Sequence, residues 1–459
     1  MKKPLKKLMM LLILIFMSIN LSGCNIIELI DIAIDILDSY NGSNEEEDYV
    51  YPEIDINNVN TVTDLYSGLM PSTGNAKVLV LMIEFPDYAH KAKHTKEYVQ
   101  NIFFGEGLAD ESLASYYKKS SYNKLNISGE VVGWYMANER SSSYERKYDE
   151  HASDMILKEA LEYYYSNKLI DVNNFDGNND GYIDAVFAVY SRRDSDISDL
   201  WWAYQTTFED YYTKENYIQL GDKKFSNYAW ASIYFSEVSF FSKGFDPTTF
   251  IHESGHLLGL DDYYDYDEYS GSNAGLGGAD MMDYNVGDHL PISKLILGWT
   301  KPTVVERNES KNYKIRSFTE TGDVLLIPLQ EYNGIFDEYL LVEYYTPTGL
   351  NSTNTYLTKS GVRLTYVNAN IGDGGMTGSY YTLFNHDNSD TDIPFTCMIS
   401  PSGIIGSDES AYNKDLFQTN DTFNGKSIYY SDTLYRNFSL TVLGFNSEDS
   451  SVTISVSFN

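Results

Sequence analysis

The chain has 459 residues and a formal net charge of −33, because 66 acidic residues outnumber 33 basic ones. This charge argues against a protein that binds nucleic acid or anionic membrane surfaces, since phosphate groups would be repelled. The length exceeds that of one ordinary hydrophobic core, so two folded domains plus appendages are expected.

The first 24 residues predict a bacterial lipoprotein signal. Lysines within residues 2–7 precede an apolar run at residues 8–19, which is too short for a comfortable membrane span, and LSGC follows. LSGC resembles a lipobox, which implies cleavage before Cys24 and attachment of diacylglycerol to its thiol. An ordinary signal peptide or a signal anchor is the alternative. The lipobox interpretation predicts an extracytoplasmic protein, anchored to the cell membrane through Cys24.

Residues 25–75 are predicted to be a membrane-proximal segment and linker. Residues 26–37 combine apolar side chains with three acids, a pattern compatible with a short helix near the membrane or with a packed domain helix. Residues 41–48, NGSNEEED, are polar and acidic, so they predict a flexible spacer.

Residues 76–300 predict an α/β domain, in which strands alternate with helices. Strands are expected in the apolar or alternating runs at 78–85, 125–136, 185–190 and 228–235, and helices at 96–119 and 149–168.

Residues 301–459 predict a β-rich, sandwich-like domain. Short β-type runs are separated by Asn, Ser, Gly and Asp clusters, and no long helical pattern interrupts them. The clearest runs are 324–329, 339–345, 361–367, 440–445 and 452–458.

The sequence HESGHLLGLDD, residues 252–262, predicts a zinc site on a helix. Asp246-Pro247 are a helix start signal and Gly259 is a stop signal, so we expect a helix over about 247–258. On it His252 and His256 lie one turn apart, a spacing at which two imidazoles can bind one tetrahedral ion.

Glu253 and Asp262 are predicted to complete the site. Glu253 projects beside the metal, where it can take a proton from a water molecule that zinc has made more acidic. Gly259 turns the chain back past the metal, and Asp262 stands where proteases with the motif HExxHxxGxxH have their last histidine. The other candidates for the third ligand are Asp261, Asp265, Glu268 and His289.

Residues 279–285, ADMMDYN, resemble the methionine turn of metzincin proteases. The resemblance implies that Met282 lies under the zinc and that Tyr284, two residues later, reaches the metal or the substrate oxyanion. The alternative is a surface turn with a partly buried methionine.

The motifs together resemble the immune inhibitor A family of secreted bacterial zinc metallopeptidases. They occur in order within residues 76–370 and are VLVLMIEFPD, SYYKKSSYNKLNISGEVVGWY, DGNNDGYIDAVFAVY, LWWAY, HESGHLLGLDDYYD, DMMDYN and LGWTKP. The resemblance implies a metzincin-like α/β (α+β) protease domain with zinc and structural calcium, followed by a β-rich domain. It also implies that His252, His256 and Asp262 bind zinc and that Glu253 is the catalytic base. Asp261 is a departure, because family members usually have proline there.

Residues 176–184, DGNNDGYID, predict a calcium loop. Oxygen-bearing side chains stand at the spacing of the first half of an EF-type loop, and Gly181 allows the sharp turn. An Asx-rich turn that caps the next strand is the alternative. The predicted ligands are Asp176, Asn178, Asp180 and Asp184.

These features predict a monomeric, membrane-anchored zinc endopeptidase that cleaves proteins or peptides outside the cell. A catalytically silent surface lipoprotein, an adhesin or binding module with the same fold, is the main alternative. A zinc hydrolase that acts on non-peptide bonds fits the HExxH motif but not the other motifs.

Overall fold

The structure is a computed structural model. It describes residues 61–64, 68–107, 111–193, 199–237, 244–266, 271–307, 309–371, 376–377, 380–381, 384, 386–389, 391–428, 430 and 435–458. The predicted signal, Cys24 and the chain up to residue 60 lie outside the described residues. The described residues belong to one compact unit. The predicted domain boundary near residue 300 stays a prediction.

The first half of the chain forms a five-stranded sheet with the order β2-β1-β3-β7-β4. Strands β2, β1, β3 and β7 are parallel, and β4 is an antiparallel edge strand. Strands β5 and β6 form a separate hairpin. The bounds are β1 Gly74–Glu84, β2 Leu125–Met136, β3 Ala185–Tyr190, β4 Tyr204–Thr207, β5 Ile218–Leu220, β6 Lys223–Phe225 and β7 Asn227–Ser232.

Helices cover both faces of this sheet. Along β1, Val78 and Val80 pack into one core and Leu79 and Leu81 into another, so the strand reads as a continuous apolar run. Helices α1, α2 and α5 contribute to the first core, and α3 and α4 to the second. The bounds are α1 Lys96–Phe104, α2 Leu113–Ser120, α3 Ser141–Tyr148, α4 Ala152–Ser166, α5 Thr248–Leu257, α6 Met281–Tyr284, α7 Pro291–Ile296 and α8 Phe318–Thr321.

The helical spacing of residues 96–119 corresponds to two helices. Helix α1 ends at Phe104, where the N–H of Gly105 donates to the carbonyl of Asn101. Helix α2 starts again at a capping box, in which Ser112 and Ser115 exchange side-chain and backbone hydrogen bonds. Helical structure in this range is therefore confirmed, and local stop and start signals divide it into two helices.

The second half of the chain adds a six-stranded sheet, β16-β15-β12-β11-β10-β8, and a four-stranded sheet, β17-β18-β19-β9. A short hairpin pairs β13 with β14. The bounds are β8 Thr303–Val304, β9 Lys311–Arg316, β10 Val324–Pro328, β11 Glu338–Tyr345, β12 Gly361–Asn368, β13 Met376–Thr377, β14 Tyr380–Tyr381, β15 Thr396–Ser400, β16 Gly403–Ile404, β17 Thr422–Asn424, β18 Phe438–Asn446 and β19 Ser451–Phe458.

The six-stranded sheet is a middle layer that both halves of the chain share. One of its faces, with Leu326 and Leu341, packs into the core that also contains residues of α5. Its other face, with Leu325 and Leu340, packs against the four-stranded sheet. A mixed α/β region followed by a β-rich region is thus confirmed, and two sheets pack face to face in the second region.

Part of the predicted linker belongs to the packed structure. Val62 and Met70 are buried, and the N–H of Met70 donates to the carbonyl of Leu257 at the end of α5 (2.9 Å). Trp299 Nε1 donates to the carbonyl of Ser72 at 2.7 Å. Within the described ranges no helix has the length and apolarity needed to cross a membrane.

Candidate metal centre

Helix α5 carries the two histidines, and its ends follow the local sequence. The Asp246 carboxylate accepts hydrogen bonds from the N–H and hydroxyl of Thr248, at 2.9 and 2.6 Å. At the other end Gly259 has φ +88°, a conformation that favours glycine, and the N–H of Leu260 donates to the carbonyl of Gly255. The chain therefore reverses at Gly259, as the sequence predicts, and runs back along the helix.

His252, His256 and Asp262 converge on one point. His252 Nε2 lies 3.0 Å from Asp262 Oδ1 and 3.2 Å from His256 Nε2, and His256 Nε2 lies 3.3 Å from Asp262 Oδ1. In the part of the chain that the structure describes, no other set of three or more His, Cys, Asp or Glu side chains converges in this way. The reversal at Gly259 is what brings Asp262 to the histidines.

Backbone carbonyls orient both imidazoles. His252 Nδ1 lies 3.0 Å from the carbonyl oxygen of Met281, and His256 Nδ1 lies 2.7 Å from that of Leu260. In the tautomers in which Nδ1 donates, both Nε2 atoms carry their lone pairs toward Asp262. Such outer hydrogen bonds fix the ring orientation of metal-binding histidines.

The charges in this group favour a bound cation. Burial alone would lower the pKa of His256, but the negative charge of Asp262 and the hydrogen bond to it raise that pKa to about 10. Burial opposes ionisation of Asp262, yet the two imidazoles hold its pKa well below the usual range. Positive charge is thus stabilised where the ligand atoms meet. Two imidazole nitrogens and a carboxylate oxygen are a donor set that fits zinc.

Glu253 lies on the same helix with no hydrogen-bonding partner for one oxygen. Its side chain is buried, and Oε2 has no partner among the described residues. Burial raises the pKa of Glu253, against the opposing charges of His252 and His256. Because an unpaired buried acceptor is unfavourable for folding, it points to a catalytic use of this oxygen.

Met282 packs directly under the site helix. Its side chain is buried, and a Cβ added to Gly255 would lie 2.3 Å from its sulfur. Asp280 holds the turn, because one carboxylate oxygen accepts the N–H of Met282 at 2.6 Å and the other that of Leu290. Gly255 escaped the sequence analysis, although a glycine inside a helix is a signal of close packing.

The Gly255–Met282 contact predicts a destabilised Gly255→Ala variant. Overpacking should lower the free energy of unfolding by about 1–3 kcal/mol, although alanine is favoured over glycine inside a helix by about 1 kcal/mol. Urea unfolding of Gly255→Ala, Met282→Ala and the double variant measures the effect. The double variant should be no less stable than Met282→Ala alone. Additive losses would show that the contact with Met282 is not the cause.

The structure places the two tyrosines near the site differently. Tyr284 is 72% exposed, and its predicted contact with the metal or the substrate stays a prediction. Tyr264, which the sequence analysis missed, has its ring stacked against that of His252, with the ring centres 6.4 Å apart. Burial first, and then the charge of Asp262, raise the pKa of Tyr264. The signal was its position two residues after the proposed ligand.

The other candidates for the third ligand stand outside the converging group. His289 is fully buried against the rings of Tyr116, Tyr117 and Trp299, and burial lowers its pKa to about 3. Asp261 and Asp265 are not members of the group, and Glu268 lies outside the described residues.

The carboxylates of the predicted calcium loop bind other groups of the protein. Asp176 forms an ion pair with Lys223 (2.5 Å) and accepts the N–H groups of Asp180 and Gly181. Asp184 accepts the N–H groups of Gly177 and Lys77. Asn178 donates to Asp180. These bonds favour the Asx-rich turn, and calcium binding stays a prediction.

Two histidines and a buried glutamate on one helix, closed by an aspartate beyond its terminal glycine, define a metal-dependent hydrolase as the class. Residues 68–284 match the family model described as "Immune inhibitor A peptidase M6, catalytic domain". This match confirms the family resemblance inferred from the motifs. It ends at Tyr284, the last residue of α6, so the β-rich half lies beyond it.

Comparisons with solved structures and with curated proteins do not extend the family assignment. A solved structure of catalytic inactive OgpA from Akkermansia muciniphila, in complex with an O-glycopeptide (glycodrosocin) substrate, is 10% identical. The match covers 66% of this chain and 90% of the OgpA chain, with a TM-score of 0.24. This likeness supports no inference about the substrate. No curated protein matches significantly.

Proposed function

We propose that the protein is a zinc-dependent metalloendopeptidase with a metzincin-like catalytic domain and Glu253 as the general base. The observation that carries the proposal is the buried, unpaired Oε2 of Glu253 on the helix that supplies two of the three converging ligands. His252, His256 and Asp262 would hold the ion. The match of residues 68–284 to a peptidase family supports peptide bonds as the substrate.

In this proposal each group at the site has its own role in hydrolysis. Glu253 Oε2 accepts a proton from the attacking water and then donates it to the nitrogen of the leaving amine. The carbonyls of Met281 and Leu260 hold the two imidazoles in orientation. A bound zinc ion would polarise the scissile carbonyl and make the water more acidic.

The proposal predicts a one-to-one zinc content and proteolysis that depends on it. The purified chain should hydrolyse a denatured protein substrate, lose this activity on dialysis against a chelator, and regain it with one equivalent of zinc. Zinc content by atomic absorption and fragment release by mass spectrometry measure both. Stoichiometric zinc without hydrolysis would contradict the proposal and favour the alternative, a catalytically silent surface lipoprotein.

We further propose that the enzyme acts outside the cytoplasm, anchored through Cys24. The support is the sequence LSGC after a basic and apolar leader. Labelled palmitate should be incorporated into the wild-type chain but not into Cys24→Ser. Equal labelling of both would contradict the anchor.

A further inference from the structure

A buried ion pair in the β-rich half of the chain contacts the turn under the metal centre. Arg363 on β12 and Glu343 on β11 are cross-strand neighbours, each 1% exposed. Arg363 Nε donates to Glu343 Oε1 at 2.5 Å, and its guanidinium lies 4.9 Å from the ring centre of Tyr345. The guanidinium is therefore held in one orientation.

The free end of this guanidinium reaches the start of α6. Arg363 Nη1 donates to the carbonyl of Ala279 at 2.9 Å. Ala279 precedes Asp280, whose carboxylate caps the turn at Met282, and the carbonyl of Met281 lies 3.0 Å from His252 Nδ1. The carbonyl that Arg363 holds and the carbonyl that orients His252 thus belong to residues only two positions apart.

Stability alone is a weak reason for this pair. Two charges taken out of water lose hydration, and apolar side chains of similar volume often stabilise a core as well or better. Moreover, Glu343 Oε2 has no hydrogen-bonding partner in the described part of the chain, and burial raises the pKa of Glu343. What an apolar pair could not supply is the directed N–H to the carbonyl of Ala279.

We propose that Arg363 is a positioning residue for the metal centre: it fixes the Ala279–Met282 turn, and through it the imidazole of His252. The inference rests on the proposed function and extends it to a residue beyond the matched segment 68–284. It makes the β-rich half part of the metal-binding machinery.

The test replaces the pair by apolar side chains, Arg363→Met with Glu343→Leu, so that no buried charge is left alone. Zinc affinity, measured by competition with a chromophoric chelator, should fall by up to about 10–100-fold, the loss that follows when a hydrogen bond to a metal ligand is removed. The visible absorption of the cobalt-substituted protein should change as well, because it reports ligand geometry. Thermal unfolding of the metal-free protein shows whether the variant folds.

Tyr366→Phe is the matched control. Tyr366 also lies on β12 and is buried, and its hydroxyl donates to Glu338 Oε1 at 2.8 Å. It packs toward the four-stranded sheet, away from the metal. The control should lose some stability and keep the wild-type zinc affinity and cobalt spectrum.

The outcomes separate the two proposals. A wild-type protein that binds zinc and cleaves substrate, with unchanged zinc affinity and cobalt spectrum in the double variant, would overturn the role of Arg363 alone. A wild-type protein that binds no zinc would overturn the proposed function together with this inference. If the double variant does not fold, Arg363→Lys replaces it. Lysine keeps a cation beside Glu343, but its ammonium lacks the planar fork by which arginine binds both Glu343 Oε1 and the carbonyl of Ala279. An unweakened zinc affinity of this variant would again overturn the inference.

Discussion

Glu253→Gln should hydrolyse peptide bonds about 10²–10⁴-fold more slowly than the wild type, the range expected for loss of a general base. Glutamine keeps the size and shape of the side chain, but its amide oxygen is too weak a base to take a proton near neutral pH. Because Glu253 is not one of the converging ligands, the zinc content should stay at one per chain. Steady-state kinetics on a fluorogenic peptide and metal analysis measure the two quantities.

Ser254→Ala is a suitable control for the glutamine variant. Ser254 is the next residue on α5, is also buried, and donates its hydroxyl to the carbonyl of Phe250 within the helix. It should keep a rate near that of the wild type. A Glu253→Gln enzyme that retains zinc and hydrolyses peptides at the wild-type rate would exclude Glu253 as the base.

The parts of the site that the sequence predicts depend on local rules. The spacing of His252 and His256 follows from 3.6 residues per helical turn, and the stop at Gly259 follows from its freedom to adopt positive φ. The return of Asp262 to the histidines then needs only a short chain. For the same reason the strands were largely predictable, since a run buried on both faces is apolar throughout.

Contacts between distant segments could not be read from one sequence. The carbonyls of Met281 and Leu260 carry no side-chain signal, yet they orient the two imidazoles. Arg363 lies 84 positions from its acceptor Ala279, and nothing in its neighbourhood sets it apart from a strand residue at a surface. Tertiary packing alone brings these groups together.

Charged loops were difficult for a related reason. The spacing of Asp176, Asn178 and Asp180 is compatible with a calcium loop and with an Asx-rich turn. What separates the two is the position of a cation from elsewhere in the chain, and Lys223 lies 47 residues from Asp176. A sequence pattern names the oxygens but not what they contact.

Asp262→Asn and its neighbour Asp261→Asn should differ sharply in zinc affinity. The first substitution puts a neutral amide in place of the ionised carboxylate of Asp262, which lies 3.0 and 3.3 Å from the two Nε2 atoms. Loss of a ligand should exceed the 10–100-fold loss typical of an outer-shell contact, so we expect zinc binding weaker by more than about 100-fold.

Asp261→Asn changes the adjacent carboxylate in the same way but leaves the converging group intact. It should bind zinc as the wild type does and hydrolyse peptide bonds at a similar rate. Chelator competition and kinetics on the two variants side by side measure the difference. If Asp261→Asn were the variant that lost zinc, Asp261 and not Asp262 would be the third ligand. The unusual acid before the ligand is therefore expected to stand beside the zinc site without taking part in it.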